Sequence, residues 1–158
     1  MKKLFMMAVL VTVFSIANAQ TTFKIGGGIN LAIPASNMGG TSIGAGADLL
    51  GQIGLSENFA ITVDAGYTSF FVKNGGDSYG LIPIRGGIRF MATPQIYLGG
   101  KAGVGILTGN GSSNSTTAYS FGAGYMLDPK LDLGLSYDGY SKNGSFGYIN
   151  LRLGYNFN

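Results

Sequence analysis

The sequence GYINLRLGYNFN, residues 147–158, contains the pattern that decides the fold. Every second residue is large and apolar, and a period of two is typical of a β-strand whose two faces meet different surroundings. These alternate residues, here called the apolar parity, carry no charge. They are Ile149, Leu151, Leu153, Tyr155 and Phe157. In a soluble β-sandwich this face would be the core, whereas in a membrane β-barrel it would be the wall that faces lipid.

The N-terminus has the order of residues found in a secretory signal peptide. Lys2 and Lys3 precede a short apolar run, which ends in the small residues Ala17-Asn18-Ala19. The run is shorter than the about 20 apolar residues that a spanning helix needs. We therefore predict a cleaved signal peptide, residues 1–19, followed by one domain, residues 20–158.

The composition excludes several classes of function. The chain has no cysteine and no histidine, so it offers no disulfide, no thiol nucleophile and no imidazole base or metal ligand. Of its ten basic residues Lys2 and Lys3 belong to the predicted signal peptide, so the mature part keeps eight basic and seven acidic residues, a net charge near +1, and has no nucleic-acid patch. Glycine is abundant, at 28 residues, and lies inside the apolar segments.

Eight segments of strand character follow the signal peptide. Each is about ten to fourteen residues long, which is longer than the five or six usual in soluble proteins and long enough to cross a bilayer at a tilt. The predicted spans are Thr22–Ile33, Ile43–Leu55, Phe59–Val72, Tyr79–Ala92, Gln95–Leu107, Ala118–Leu127, Leu131–Tyr140 and Phe146–Phe157.

The connections alternate between tight turns and longer polar links. The turns are residues 56–58, 93–94 and 128–130, and the links are residues 34–42, 73–78, 108–117 and 141–145. Short periplasmic turns and longer outside loops are typical of an outer-membrane up-and-down barrel. The sequence therefore predicts an all-β fold, an eight-stranded antiparallel up-and-down transmembrane β-barrel with both termini in the periplasm.

The parity that alternates with the apolar one carries all nine charges within the strands. Because an eight-stranded barrel has an interior that side chains can just fill, we expect a structural network of ion pairs that closes the lumen. Its members are Lys24, Asp48, Asp64, Arg85, Arg89, Lys101, Asp132, Asp138 and Arg152. Glycines on the same face leave room for the long side chains, and Pro83 predicts a bulge or local irregularity in the fourth strand.

Aromatic residues on the apolar parity cluster near the strand ends that hold the tight turns. Such a belt is typical of the interface between a bilayer and water. Its members are Phe23, Phe59, Phe90, Tyr125, Tyr155 and Phe157. The belt favours lipid, not a protein core, outside the apolar face.

These features resemble the small outer-membrane β-barrel family of Gram-negative bacteria. The segment IPIRGGIRF, residues 82–90, is similar to a middle strand of the version common in Bacteroidetes. The resemblance implies outer-membrane lipid and lipopolysaccharide as surroundings, a monomer, and no cofactor. It also implies that Leu153, Tyr155 and Phe157 form the insertion signal read by the barrel-assembly machinery, although family members usually end on an aromatic and this chain ends on Asn158.

The sequence gives little support to catalysis. Asp132 and Asp138 lie roughly 20 Å apart along a strand, which is too far for a shared substrate bond. We therefore expect a non-enzymatic barrel with a structural or surface-interaction role in the cell outer membrane. Two alternatives remain open: a narrow channel or transport-assisting barrel, and a soluble lipocalin-like carrier of the periplasm with its apolar face inside.

Overall fold

A computed structural model describes residues 22–109 and 111–158, so the predicted signal peptide lies outside the described residues. The described chain forms eight strands and one short 3-10 turn, Lys73–Gly75, between the third and fourth strands. The strands are β1 (Phe23–Ser36), β2 (Thr41–Gly54), β3 (Phe59–Val72), β4 (Tyr79–Met91), β5 (Ile96–Gly109), β6 (Ser112–Met126), β7 (Leu131–Ser141) and β8 (Ser145–Asn156). No helix within the described ranges is long and apolar enough to cross a membrane.

Each strand pairs in antiparallel fashion with its neighbours in the chain, and β1 pairs with β8 to close a barrel. The predicted fold is therefore confirmed. Past the last strand, the backbone N–H of Phe157 donates to the Ile25 carbonyl at 2.8 Å. The Asn158 side chain then donates to the Phe23 carbonyl and accepts from the Ile25 N–H, both at 3.0 Å. This amide extends the seam by one more pair of hydrogen bonds.

The two ends of the barrel differ in what they hold. The terminal end contains the start of β1, the end of β8 and the connections 55–58, 92–95 and 127–130. The far end contains the connections 37–40, 73–78 and 142–144 and the residue Gly111.

The link 73–78 has its predicted bounds, whereas the other three far-end links are shorter than predicted. The largest error is the polar link 108–117. Within it, β5 continues to Gly109 and β6 begins at Ser112, and these two residues pair directly. A hairpin that extends beyond the hydrocarbon layer of a bilayer needs no apolar face. Its sequence therefore lacks the alternation of apolar and polar residues that marks a strand, although its two strands still pair through their backbones.

The apolar parity faces outward along every strand. Ile29 and Leu49 expose 64% and 63% of their surface, whereas Arg85 exposes 6%. The charges therefore lie inside the barrel, as predicted. A lipocalin-like carrier needs the opposite arrangement, so this orientation contradicts that alternative.

Aromatic side chains lie near both ends of the barrel on its outer surface. At the terminal end, the predicted belt contains a Phe59–Phe90 pair with ring centroids 4.9 Å apart. Nearer the far end, the Tyr137 ring lies 6.5 Å from Tyr119 and 5.5 Å from Phe121. The sequence analysis did not anticipate this second belt, and together the two belts bound the outer surface as two bilayer interfaces would.

Pro83 faces the interior, as predicted, but it causes no bulge in β4. The pairing of β3 with β4 lapses between Ala65↔Ile84 and Thr68↔Leu81 and resumes in the same register. Pro83 still lies opposite Gly105 of β5. Because proline lacks an N–H, the ladder loses bonds on one side only, and the strand keeps its alignment.

Candidate functional site

The interior is divided into three zones along the barrel axis: an open vestibule at the terminal end, a charged middle, and an aromatic cluster at the far end. The charged middle consists of two groups of side chains, each organised by one arginine.

Arg85 organises the first group. Its Nε and Nη2 donate to the two carboxylate oxygens of Asp64 at 3.2 and 2.8 Å, and its Nη1 donates to Asp138 at 2.8 Å. Lys101 donates to Asp64 at 3.0 Å, and the hydroxyl of Ser120 donates to Asp138 at 2.6 Å. Two carboxylates and two cations are thus paired in balance, the condition under which charges can be buried.

Arg152 organises the second group. It approaches Asp48 with Nε at 2.9 Å and Nη2 at 2.7 Å, and Asp132 with Nη1 at 3.4 Å. Asn30 donates to Asp48 at 3.0 Å, and the Tyr97 hydroxyl donates to Asp132 at 2.8 Å. Every polar contact of these two carboxylates comes from a donor, as an ionised carboxylate requires.

Of the nine charged residues predicted for the lumen, the structure brings seven into ion pairs: Lys101, Arg85, Arg152 and the four aspartates. Lys24 and Arg89 form no ion pair within the described residues. Arg89 was expected to pair with a carboxylate, but its guanidinium lies instead over the Tyr97 ring, 3.9 Å from the centroid. Parity places Arg89 inside the barrel correctly, whereas its partner depends on the strand tilt.

Glycine provides the space that the arginine and tyrosine side chains occupy. A Cβ on Gly28 would lie 2.7 Å from the Arg152 guanidinium, and one on Gly124 would overlap the Tyr97 ring. The predicted role of the inward glycines therefore holds at these two positions.

The far end of the lumen is closed by an apolar and aromatic cluster that the sequence analysis missed. Its buried members are Ala32, Met38, Phe70, Leu81, Ala118, Tyr140 and Tyr148. The Tyr140 and Tyr148 rings stack at 5.8 Å with their hydroxyls 3.1 Å apart, and Phe70 packs edge-on against Tyr148. The signal was present in the sequence, since large side chains occupy the inward parity at the far ends of β3, β4, β7 and β8.

Two cavities lie within these zones. The vestibule is about 1030 Å³ in volume, opens at the terminal end, and is lined by both Lys24 and Arg89. A chamber of about 60 Å³ lies within the charged middle. Two buried oxygens that line this chamber, Thr62 Oγ1 and Asn150 Oδ1, have no hydrogen-bond partner in the described chain.

The predicted insertion-signal residues lie on the outer surface of β8. Leu153, Tyr155 and Phe157 are 39%, 49% and 56% exposed, and the last two rings are 6.0 Å apart. Their role as a signal remains a prediction. Within residues 22–109 and 111–158, no group of three or more acidic, histidine or cysteine side chains is placed to hold a metal ion.

A closed eight-stranded barrel with an apolar outside and a charged, filled inside defines the class of small outer-membrane barrels. The comparison with protein families agrees, since residues 4–157 match the outer membrane protein beta-barrel domain. The chain belongs to this family. The comparison with curated proteins finds no match.

Solved structures of small outer-membrane proteins share the fold. Ail, the attachment invasion locus protein of Yersinia pestis, is 16% identical, with 87% of this chain and 97% of that chain covered and a TM-score of 0.57. Neisserial surface protein A is 18% identical, with 88% and 100% covered and a TM-score of 0.60. The N-terminal β-barrel domain of Pseudomonas aeruginosa OprF is 14% identical, with 87% and 97% covered and a TM-score of 0.60. At these identities the likeness concerns the fold alone, and a Bacteroidetes-type subgroup remains a prediction.

Proposed function

We propose that this protein is a non-catalytic integral barrel of the cell outer membrane, with a lumen closed to ions and a structural or surface-interaction role. The observation that supports closure most strongly is the succession of two barriers, the paired charges around Arg85 and Arg152 and the aromatic cluster at the far end. Either barrier alone narrows the lumen, and a narrow channel would need both to open.

The contacts of the charged middle support a permanent closure. Arg85 is held by three donated hydrogen bonds to Asp64 and Asp138, and all three residues are at least nine-tenths buried. Moving such a cation aside would leave two buried carboxylates short of their main partner, at a cost of several kcal/mol. The same contacts support a non-catalytic interior, because its carboxylates are already engaged by cations.

The outer surface supports a position in the outer membrane with the termini in the periplasm. Lipid would cover the apolar wall, lipopolysaccharide would meet the far-end belt, and the assembly machinery would read Leu153, Tyr155 and Phe157. Since β1 and β8 are paired, the described barrel has no free sheet edge for a second copy, which favours a monomer. A surface role would fall on the four far-end connections.

Conductance in planar bilayers tests the closure. We expect the purified protein to give no current steps, and we expect the same for a Tyr140→Ala, Tyr148→Ala variant because the charged middle remains. Heat-modifiable mobility on gels verifies that both proteins are folded. Stepwise conductance of the unmodified barrel would overturn the proposal in favour of the narrow channel.

Single cysteines test the orientation, because the chain has none of its own. Lys142 lies in a far-end connection and Lys130 in a terminal-end connection, and both are exposed. On intact cells a membrane-impermeant maleimide should label Lys142→Cys and spare Lys130→Cys, and after the outer membrane is permeabilised it should label both. Labelling of Lys130→Cys on intact cells would reverse the orientation.

A further inference from the structure

The vestibule contains the two inward cations that the ion-pair network leaves out. Its volume, about 1030 Å³, is that of a small-molecule site. Lys24 projects from β1 and Arg89 from β4, and both line the cavity wall. Within the described residues neither cation has a carboxylate partner.

Arg89 lies at the inner wall of the vestibule. The side chain is only 7% exposed, and one face of the guanidinium is covered by the Tyr97 ring at 3.9 Å. Tyr97 directs its hydroxyl to Asp132, which also contacts Arg152. Asp132 is therefore engaged by other donors, and the in-plane N–H donors of Arg89 make no hydrogen bond to another described residue. Arg89 lines the vestibule and also the chamber of the charged middle. A planar fork of this kind matches the two oxygens of a carboxylate.

The remaining charges of the vestibule lie at its mouth. Glu57 and Asp128 belong to terminal-end turns and are exposed, and Asp128 accepts a hydrogen bond from the Lys130 backbone at 2.6 Å. Water screens these acids, whereas Arg89 lies in a confined space where its field is less screened. Within the vestibule, the two cations therefore lie deeper than the two acids.

Apolar residues form part of the wall between the mouth and the cations. They belong to the terminal-end turns and the adjoining strand ends, and include Leu55, Met91, Met126 and Leu127. A cavity with apolar walls and a few convergent polar groups favours a ligand that has both an apolar body and one charged group.

We propose that the vestibule binds a small organic carboxylate, with its head group on the in-plane edge of Arg89, Lys24 as a second cation, and its aliphatic body against Met91, Met126 and Leu127. The site goes beyond the proposed function. It lies at the opposite end from the surface connections and does not require the lumen to conduct.

Titration with sodium butyrate tests the proposal, with the barrel in nanodiscs at constant ionic strength and the arginine Nε–H signals followed by NMR. We expect a saturable shift of the Arg89 signal. The Arg85 signal, fixed in the charged middle, should stay in place and serves as an internal reference. Equal concentrations of n-butanol, which has the same chain without the charge, should give no saturable shift at Arg89.

Variants separate the site from general effects of the anion. Followed through the backbone amides of Lys24 and Gln52, butyrate binding should weaken at least tenfold in Arg89→Gln and by a smaller factor in Arg89→Lys, and stay unchanged in Lys142→Gln outside the cavity. Lys24→Gln, which should weaken binding severalfold, replaces Arg89→Gln if that variant does not fold. A non-saturable response, or equal binding in the folded Arg89 or Lys24 variants and the unmodified barrel, would overturn the proposal.

Discussion

Arg85 and Arg89 lie four residues apart on the same face of the same strand, yet they have different surroundings. Arg85 donates three hydrogen bonds to two buried aspartates. Arg89 stacks on the ring of Tyr97 and borders the vestibule. One arginine is therefore locked among charges, and the other is held by an aromatic face with its donors available.

The difference shows that inward-facing charged residues occur in two kinds of surroundings within one barrel. In the middle of the lumen, every carboxylate contacts at least one cation. Towards the terminal end, water in the vestibule can solvate a cation that lacks a carboxylate, so pairing is no longer required. Burial of the side chain alone does not distinguish the two cases, since Arg85 and Arg89 are 6% and 7% exposed.

Removal of Arg85 should have the largest effect. Arg85→Met keeps a long unbranched side chain but leaves Asp138 without its cation, and Asp64 with Lys101 alone. We expect a loss of about 3–5 kcal/mol in the free energy of unfolding, measured by urea titration in lipid vesicles. A loss below about 1 kcal/mol would mean that the paired middle is not a strong stabilising element.

Tyr97 connects the two environments, because its ring lies against Arg89 and its hydroxyl donates to Asp132. Tyr97→Phe removes only the hydrogen bond to a charged acceptor, and we expect a loss of about 1.5–3 kcal/mol in the same titration. Tyr97→Leu removes the aromatic face as well and should lose about 0.5–1 kcal/mol more. Equal losses in the two variants would show that the stacking on Arg89 contributes nothing.

Removal of Arg89 should cost far less than removal of Arg85. Arg89→Met leaves no carboxylate in the described chain without its partner, so we expect a loss of about 1 kcal/mol, the value of one cation–π contact. The matched comparison is Arg85→Met, with the same chemical change four residues away. Similar losses in the two variants would contradict the distinction between a locked and an available arginine.

Thr62 should give the smallest effect of the series. Its hydroxyl is buried and has no hydrogen-bond partner in the described chain. Thr62→Val preserves the shape of the side chain, so we expect a change within about 0.5 kcal/mol. A loss above about 1 kcal/mol would indicate that the hydroxyl is hydrated in the chamber of about 60 Å³ that it lines.

The period of two in the sequence divided each strand into an apolar and a polar face, and the aromatic belt with the uncharged apolar face predicted that the apolar face lies outside. The sequence could not predict partners across the lumen. Arg85 and Asp138 are 53 positions apart, and Arg152 and Asp48 are 104 positions apart. Such pairs depend on the tilt and stagger of the strands, and the alternation of residues along a strand does not specify either.

The remaining misses have physical causes of the same kind. The strand Ser112–Met126 begins in a polar stretch that pairs outside the apolar layer, so no periodic signal marks it. The aromatic cluster was missed because the charges on the inward-facing positions predict an ionic interior throughout, whereas Tyr140 and Tyr148 fill the far end with rings.

The seam between β1 and β8 has a consequence for how the barrel forms. Every other pair of neighbouring strands is joined by a short turn, whereas Ile25 and Asn158 meet across 133 positions of the chain. The entropic cost of closing a loop grows only logarithmically with the number of residues in it, by about 0.6 kcal/mol per doubling of that number. This one distant contact therefore adds little to the total entropic cost of folding the barrel. Until it forms, however, the growing sheet has two open edges able to pair with other chains. Joining them converts an aggregation-prone ribbon into a ring in a single step.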